Sequence, residues 1–146
     1  MTAEQKLRLL VGQDAGMLVI FGPAPLRWFS RQLQPGYIDT GTCARVLRVS
    51  TARMYTHEGL NAMSEPRIQI DVMDYDSVKA AAAADAVIAF METVNLATDE
   101  MFASPPTVPA AHPNFLLNQR QGMEPRTSKG SVFVETLDYR IFNLEN

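Results

Sequence analysis

The chain is poor in the residues that usually anchor chemistry. It has one cysteine, Cys43, so an internal disulfide and a cysteine-based zinc site are excluded, and a reducing compartment fits. Its two histidines, His57 and His112, stand far apart. Charge is sparse at 20% of residues, and a net −3 with pI near 5.3 argues against a surface that grips nucleic-acid phosphates as a whole, leaving a local basic patch open. No apolar run approaches the roughly 18 residues of a membrane span. The start, TAEQKLRLL, carries Glu4 early and lacks the charged-then-apolar pattern of a cleaved secretion signal. Phosphate-cradling loops of the G-x-x-x-x-G-K-S/T and G-x-G-x-x-G types are missing, as is a G-x-S-x-G elbow for a nucleophilic serine.

What is present is a globular composition, 47% hydrophobic over 146 residues, which predicts one domain spanning 1–146 with a substantial core. The most informative stretch is Arg67 to Val94. Ile68, Ile70 and Val72 alternate with Arg67, Gln69, Asp71 and Met73, the period of a half-buried strand. Asp76 follows as the expected N-cap of a helix, because its carboxylate can accept unpaired N–H groups of the first turn. On that helix Ala80, Ala83, Ala84, Val87, Phe90, Met91 and Val94 share one face, with Asp85 and Glu92 opposite.

Upstream, Thr2 and Gln5 have capping-box spacing before the apolar stripe Ala3, Leu7, Leu10 and Val11, which predicts a helix over about 3–11. Met17 to Phe21 reads as a buried strand or an extended loop, ended by GPAP. Leu26, Phe29 and Leu33 recur at helical spacing, with Trp28 as a packing anchor and Pro35-Gly36 as a stop. Thr42 to Met54 returns to strand, and YTHEGLNAMSEP joins it to the next strand as a hairpin with a long loop. Four prolines between Ser104 and Pro113 imply an irregular or extended connection. Phe115 to Arg120 and Val132 to Leu144 then read as a second hairpin across a turn-rich segment. The expected fold class is α+β, a mainly antiparallel four- to five-stranded sheet with helices packed on one face, and with loops near 55–66, 103–114 and 122–131.

The candidate chemistry is thin. Asp71, Asp74 and Asp76 form D-x-x-D-x-D, a spacing that can hold a hard cation, but Asp71 and Asp74 should face opposite ways on a strand and Asp76 is committed to the cap. His57 and Glu58 are adjacent, and adjacent residues rarely converge on one proton. Catalytic, cofactor and metal residues are therefore not assigned.

Three segments together resemble a known family: the strand RVLRVSTARMYTHEG, the strand RIQIDVMDYD running into an alanine-rich helix, and a last strand ending LDYRIF. They are similar to the siphophage tail-completion proteins, which include tail terminators and tail-to-head joining proteins. The likeness covers about Cys43 to Val94 and Val132 to Phe142, with a weaker match in the first helix. The stretch Met17 to Thr42 and the proline run depart from it. The resemblance implies a virion structural protein rather than an enzyme. Such a subunit forms a homo-oligomeric, typically hexameric, ring at the head-proximal end of the tail, after assembly in the host cytoplasm. It caps the tail tube protein, stops elongation and meets the head-completion (stopper or connector) proteins, while DNA passes through the lumen without sequence-specific binding. No cofactor and no membrane are implied. Arg48, Arg53, Tyr55, His57, Leu60 and Met63 are the expected inter-subunit or tube contacts, since apolar residues on a polar loop suit another chain. A small adaptor, or a module that stacks single-stranded nucleic acid on its sheet, is the alternative.

Overall fold

The computed structural model describes residues 2–22, 25–30, 37–56, 59–94, 96, 114–126, 130–141 and 143–144, with backbone pairing alone for 52–64. The expected proline-rich connection and His57 lie outside the described residues.

Helix α1, Ala3–Gln13, begins on a complete capping box. The Thr2 amide donates to Gln5 Oε1 at 2.9 Å and the Gln5 amide to Thr2 Oγ1 at 3.3 Å. Asp14 ends α1 and caps α2, Ala15–Phe21, by accepting from the Met17 amide at 2.9 Å. The run expected as strand or loop is thus a short helix. Its Phe21 meets Trp28 edge-on, with ring centroids 5.3 Å apart.

Trp28 is buried as an anchor, yet the segment around it is strand β1, Trp28–Ser30, instead of the expected helix. Trp28 packs into the main core and Phe29 into a smaller cluster with Cys43 and Met73, so consecutive side chains are buried on opposite sides. A strand does this and a helix does not. Arg27, just before it, ties the segment down: its Nε donates to the Thr42 carbonyl at 2.9 Å and its Nη2 to the Ile20 carbonyl at 3.0 Å. Gly22 (φ +76) and Gly41 (φ +151) flank that guanidinium so closely that a Cβ would come within 2.6 and 2.9 Å of it. Both positions need glycine for conformation and for space.

A single 3-10 turn, Tyr37–Thr40, leads to β2, Cys43–Thr56, which pairs antiparallel with β3, Gly59–Asp74. The expected hairpin is present, but the ladder runs to Thr56↔Gly59, so its connection is shorter than 55–66. Helix α3, Ser77–Thr93, opens on the Asp76 carboxylate, which accepts from the Val78 amide at 2.9 Å. Every residue assigned to its apolar face is buried. Asn114 closes its far end, donating from Nδ2 to the carbonyls of Met91 and Val94, each at 2.9 Å. Strands β4, Phe115–Arg126, and β5, Gly130–Arg140, form the second hairpin, paired as far as Arg126↔Gly130. Most of 122–131, expected as a loop, is therefore ladder. The two-residue β6, Asn143–Leu144, pairs with β3.

The sheet order is β1-β2-β3-β5-β4, with β6 beside β3. Strand β1 pairs parallel with β2, so the sheet is mixed and the mainly antiparallel expectation needs that correction. The domain is α+β, and the core lies between the sheet and α1, α2 and α3. Ala44, Val46, Ile68, Ile70, Val72, Leu137 and Tyr139 supply the sheet's side of it, meeting Leu7, Val11, Ala84, Val87 and Met91. The alanines let α3 lie close to the strands, and its bulkier end fills the wider gap. On the opposite face a second, smaller cluster gathers Phe29, Ile38, Cys43, Met73, Val132 and Val134 beside the 3-10 turn.

Candidate interaction surface

The face of the sheet away from the helices carries a network of charges centred on Asp71. Its carboxylate is 2% exposed and accepts four hydrogen bonds. Arg45 donates to Oδ2 from Nη2 at 2.6 Å and from Nε at 3.2 Å. The Gln69 amide (2.9 Å) and the Thr136 hydroxyl (3.0 Å) donate to Oδ1. Buried carboxylates survive only when paired and hydrogen-bonded, and Asp71 is both. Outward from this hub lie longer or more exposed pairs: Arg45 with Glu124 at 3.6 Å, Arg120 with Asp138 at 3.7 Å, and Arg140 with Glu65 at 3.0 Å. Arg140 also sits 4.9 Å over the Phe115 ring, a cation–π contact.

The three carboxylates of D-x-x-D-x-D go to three different tasks. Asp71 holds the open-face network, and Asp74 accepts from the Thr42 hydroxyl at 2.5 Å and the Asp76 amide at 2.8 Å. Asp76 caps α3. Among the described residues no three His, Cys, Asp or Glu side chains gather as metal ligands. Cys43 is buried, and that burial pushes its thiol up to about 12, so it is not a thiolate nucleophile near neutral pH.

Of the residues expected at an interface, Arg48 is the one whose side chain is described, and it has an internal task. It binds Glu4 on α1 in a two-point grip, Nε to Oε1 at 3.0 Å and Nη2 to Oε2 at 2.8 Å, and Nη1 reaches the Thr51 hydroxyl at 3.2 Å. Burial alone would raise the Glu4 pKa, but the hydrogen bond and charge of Arg48 outweigh it and hold the carboxyl below its ordinary value. This pair fastens the first helix to β2. Arg53 and Tyr55 lie near the end of β2, with Ser64 and Leu60 as their register partners, and Met63 is opposite Leu144 of β6. Strand β5 pairs with β3 from Arg67 onward and β6 at Met63 and Ser64, so the β2–β3 ladder has Arg53 and Met63 at the level of β6 and runs on past both strands as an arm carrying Tyr55 and Leu60. The backbone register places these four toward one end of the β2–β3 ladder, with Arg48 further along β2.

The sequence marks Phe115 to Arg120 as a strand, and the structure extends it to Arg126 and places it at the sheet edge, a position not read from the sequence. Phe115, Leu116, Leu117 and Met123 are all exposed on it, Met123 at 61%. Among the described residues no strand pairs with its outer side. The available signal was the apolar run Phe115 to Leu117 followed by polar residues, which alone does not distinguish an edge from an interior strand.

The fold defined by these elements is a mixed six-stranded sheet with helices on one face. No protein-family model matches the sequence, and no curated protein matches it. Among solved structures, the chain is similar in fold to a chain from the virion of a native gene transfer agent particle, with a TM-score of 0.51 at 17% identity. The likeness covers 96% of this chain and 97% of that one, so it extends over the whole architecture.

Proposed function

We propose that this protein is a structural component of a phage-type virion, acting as a tail-completion ring subunit that caps the tail tube and joins it to the neck. The observation that carries the reading is the end-to-end fold likeness to a chain of a gene transfer agent virion, matched over nearly the full length of both. The tail-completion role rests in addition on the strand and helix segments that resemble that family. Its mechanism is interfacial. Each subunit presents one surface to a different surface of its neighbour, and the ring closes when the rotation permits. The β2–β3 arm supplies a projecting contact element, and the rigid open-face network keeps the sheet beneath it in one shape.

A nucleic-acid-stacking module would need exposed aromatics beside basic groups on the open face. Phe133 and Tyr139 share the strand register of the helix-covered residues, and Tyr139 is 2% exposed. Phe115, exposed on the open face, is already covered by Arg140. These placements favour the virion reading.

The test is complementation of tail assembly. Tyr55→Asp with Leu60→Asp puts like charges at opposed register positions near the end of the β2–β3 ladder. The variant is expected to keep the native circular dichroism spectrum but to leave tails uncapped and of irregular length. Tails of normal length, joined to heads, would remove the arm from the proposal. Failure of the unaltered protein to bind purified tail tubes would remove the tail role itself.

A further inference from the structure

Two ends of the sheet are treated very differently. At one end β1 is three residues long, and its Trp28 and Phe29 side chains are buried. At the other, β4 offers twelve residues whose outer backbone groups pair with no strand among the described residues. A long edge of this kind is a template for another strand.

The charges on β4 select the partner. Beyond the bulge at Leu117, Asn118, Arg120, Gly122 and Glu124 share the open face, as their register with Asp138, Thr136, Val134 and Val132 requires. If a second copy lies antiparallel along β4, residues of one face must oppose each other, which leaves few registers. Centring on Arg120 sets arginine against arginine, and centring on Glu124 sets carboxylate against carboxylate. Centring on Gln121 opposes neither charge with its opposite. Centring on Gly122 places Arg120 of each copy opposite Glu124 of the other, giving two cross-strand ion pairs related by the two-fold axis. Both side chains are accessible, at 55% and 43%, with Arg120 3.7 Å from Asp138 and Glu124 3.6 Å from Arg45. A Cβ at Gly122 would meet nothing within 4 Å, so the axis is open. Pro125, which has no N–H, falls opposite Gln119 and ends the ladder.

We propose that in the free protein two copies associate through antiparallel pairing of their β4 strands about Gly122, forming one continuous sheet across the pair. This does not depend on the tail-ring reading. It describes the protein before any assembly.

The test is sedimentation equilibrium of the full chain over a wide concentration range. The unaltered protein is expected to move from 16.2 kDa to twice that mass. Arg120→Glu and Glu124→Arg each turn both ion pairs into like-charge contacts, and each should weaken self-association about tenfold or more. An equimolar mixture of the two variants should recover the dimer, because both contacts in the mixed pair again join opposite charges. As a second readout free of substitutions, dilution of the unaltered protein through the transition should speed hydrogen exchange of the β4 amides. A monomer at every concentration, single variants that dimerise as tightly as the unaltered protein, a mixture that stays monomeric, or exchange insensitive to dilution would each overturn the proposal. So would a larger ring that persists through both substitutions.

Discussion

Strand β3 has two faces that solve the same problem by opposite means. Toward the helices, Ile68, Ile70 and Val72 are fully buried against aliphatic side chains and alanines. Away from them, Asp71 is buried almost as deeply but rests on four hydrogen bonds. Apolar packing is non-directional and tolerates sliding, whereas a carboxylate with four donors fixes one arrangement. The helix face therefore supplies most of the stability, and the open face supplies registration between β2, β3 and β5. For a protein read as a rigid building block, both are needed.

The comparison can be broken experimentally. Ile70→Ala should have the largest effect, a loss of about 4 kcal/mol in denaturant unfolding, because the site lies at the centre of the close-packed layer. Asp71→Ala should cost less, about 2–3 kcal/mol, since Arg45 is 23% exposed and water can partly replace the lost carboxylate. Adding Arg45→Ala to Asp71→Ala should then cost little more, as expected if the two act as one unit. Equal losses from Ile70→Ala and Asp71→Ala would mean that the open face shares the load evenly.

The smallest effect sharpens the contrast through pH. Tyr139 packs on the helix side with its hydroxyl buried and without a hydrogen-bond partner among the described residues, and burial, aided by the charge of Glu92, pushes its pKa up to about 12. A raised folded value means that stability is intact below the ordinary value of 10.0 and is lost as pH rises from there through about 12. Melting followed from pH 9 to 12 should show this decline, and Tyr139→Phe should flatten it while leaving neutral-pH stability nearly unchanged. A decline of the same steepness in the variant would assign the effect to other groups, with Cys43 the next to examine.

What was legible in the sequence was local. The capping box at Thr2 and Gln5, the Asp76 cap and the tapering face of α3 each depend on residues within a few positions of one another, and all appear as read. The errors arose where distant residues decided. Met17 to Phe21, short and apolar, is compatible with a buried strand or an extended loop, although Asp14 before it and Gly22 after it are the helix punctuation that the structure uses. Leu26, Phe29 and Leu33 suggested a helix, but β1 forms because β2 offers it a parallel edge. Asp71 read as the polar side of a half-buried strand, since its burial depends on Arg45 and Thr136, 26 and 65 positions away. The grip of Arg48 on Glu4 was equally hidden, because the two lie 44 positions apart.

The closing of α3 by Asn114 has a consequence for how this molecule can change over generations. Met91 and Val94 on one side of the proline-rich stretch, and Asn114 on the other, are joined by direct hydrogen bonds, while Lys6 reaches the carbonyl of Leu96 at 3.3 Å from the first helix. The residues that flank the stretch are thus anchored at the same end of α3. Doubling the length of a connection between such points adds only about 0.6 kcal/mol of closure entropy. The closure of the flanks is therefore the part that inheritance must keep: a peptide grafted into the stretch with Asn114 retained is expected to leave the melting temperature of the body nearly unchanged, and the same graft with Asn114→Ala to lower it.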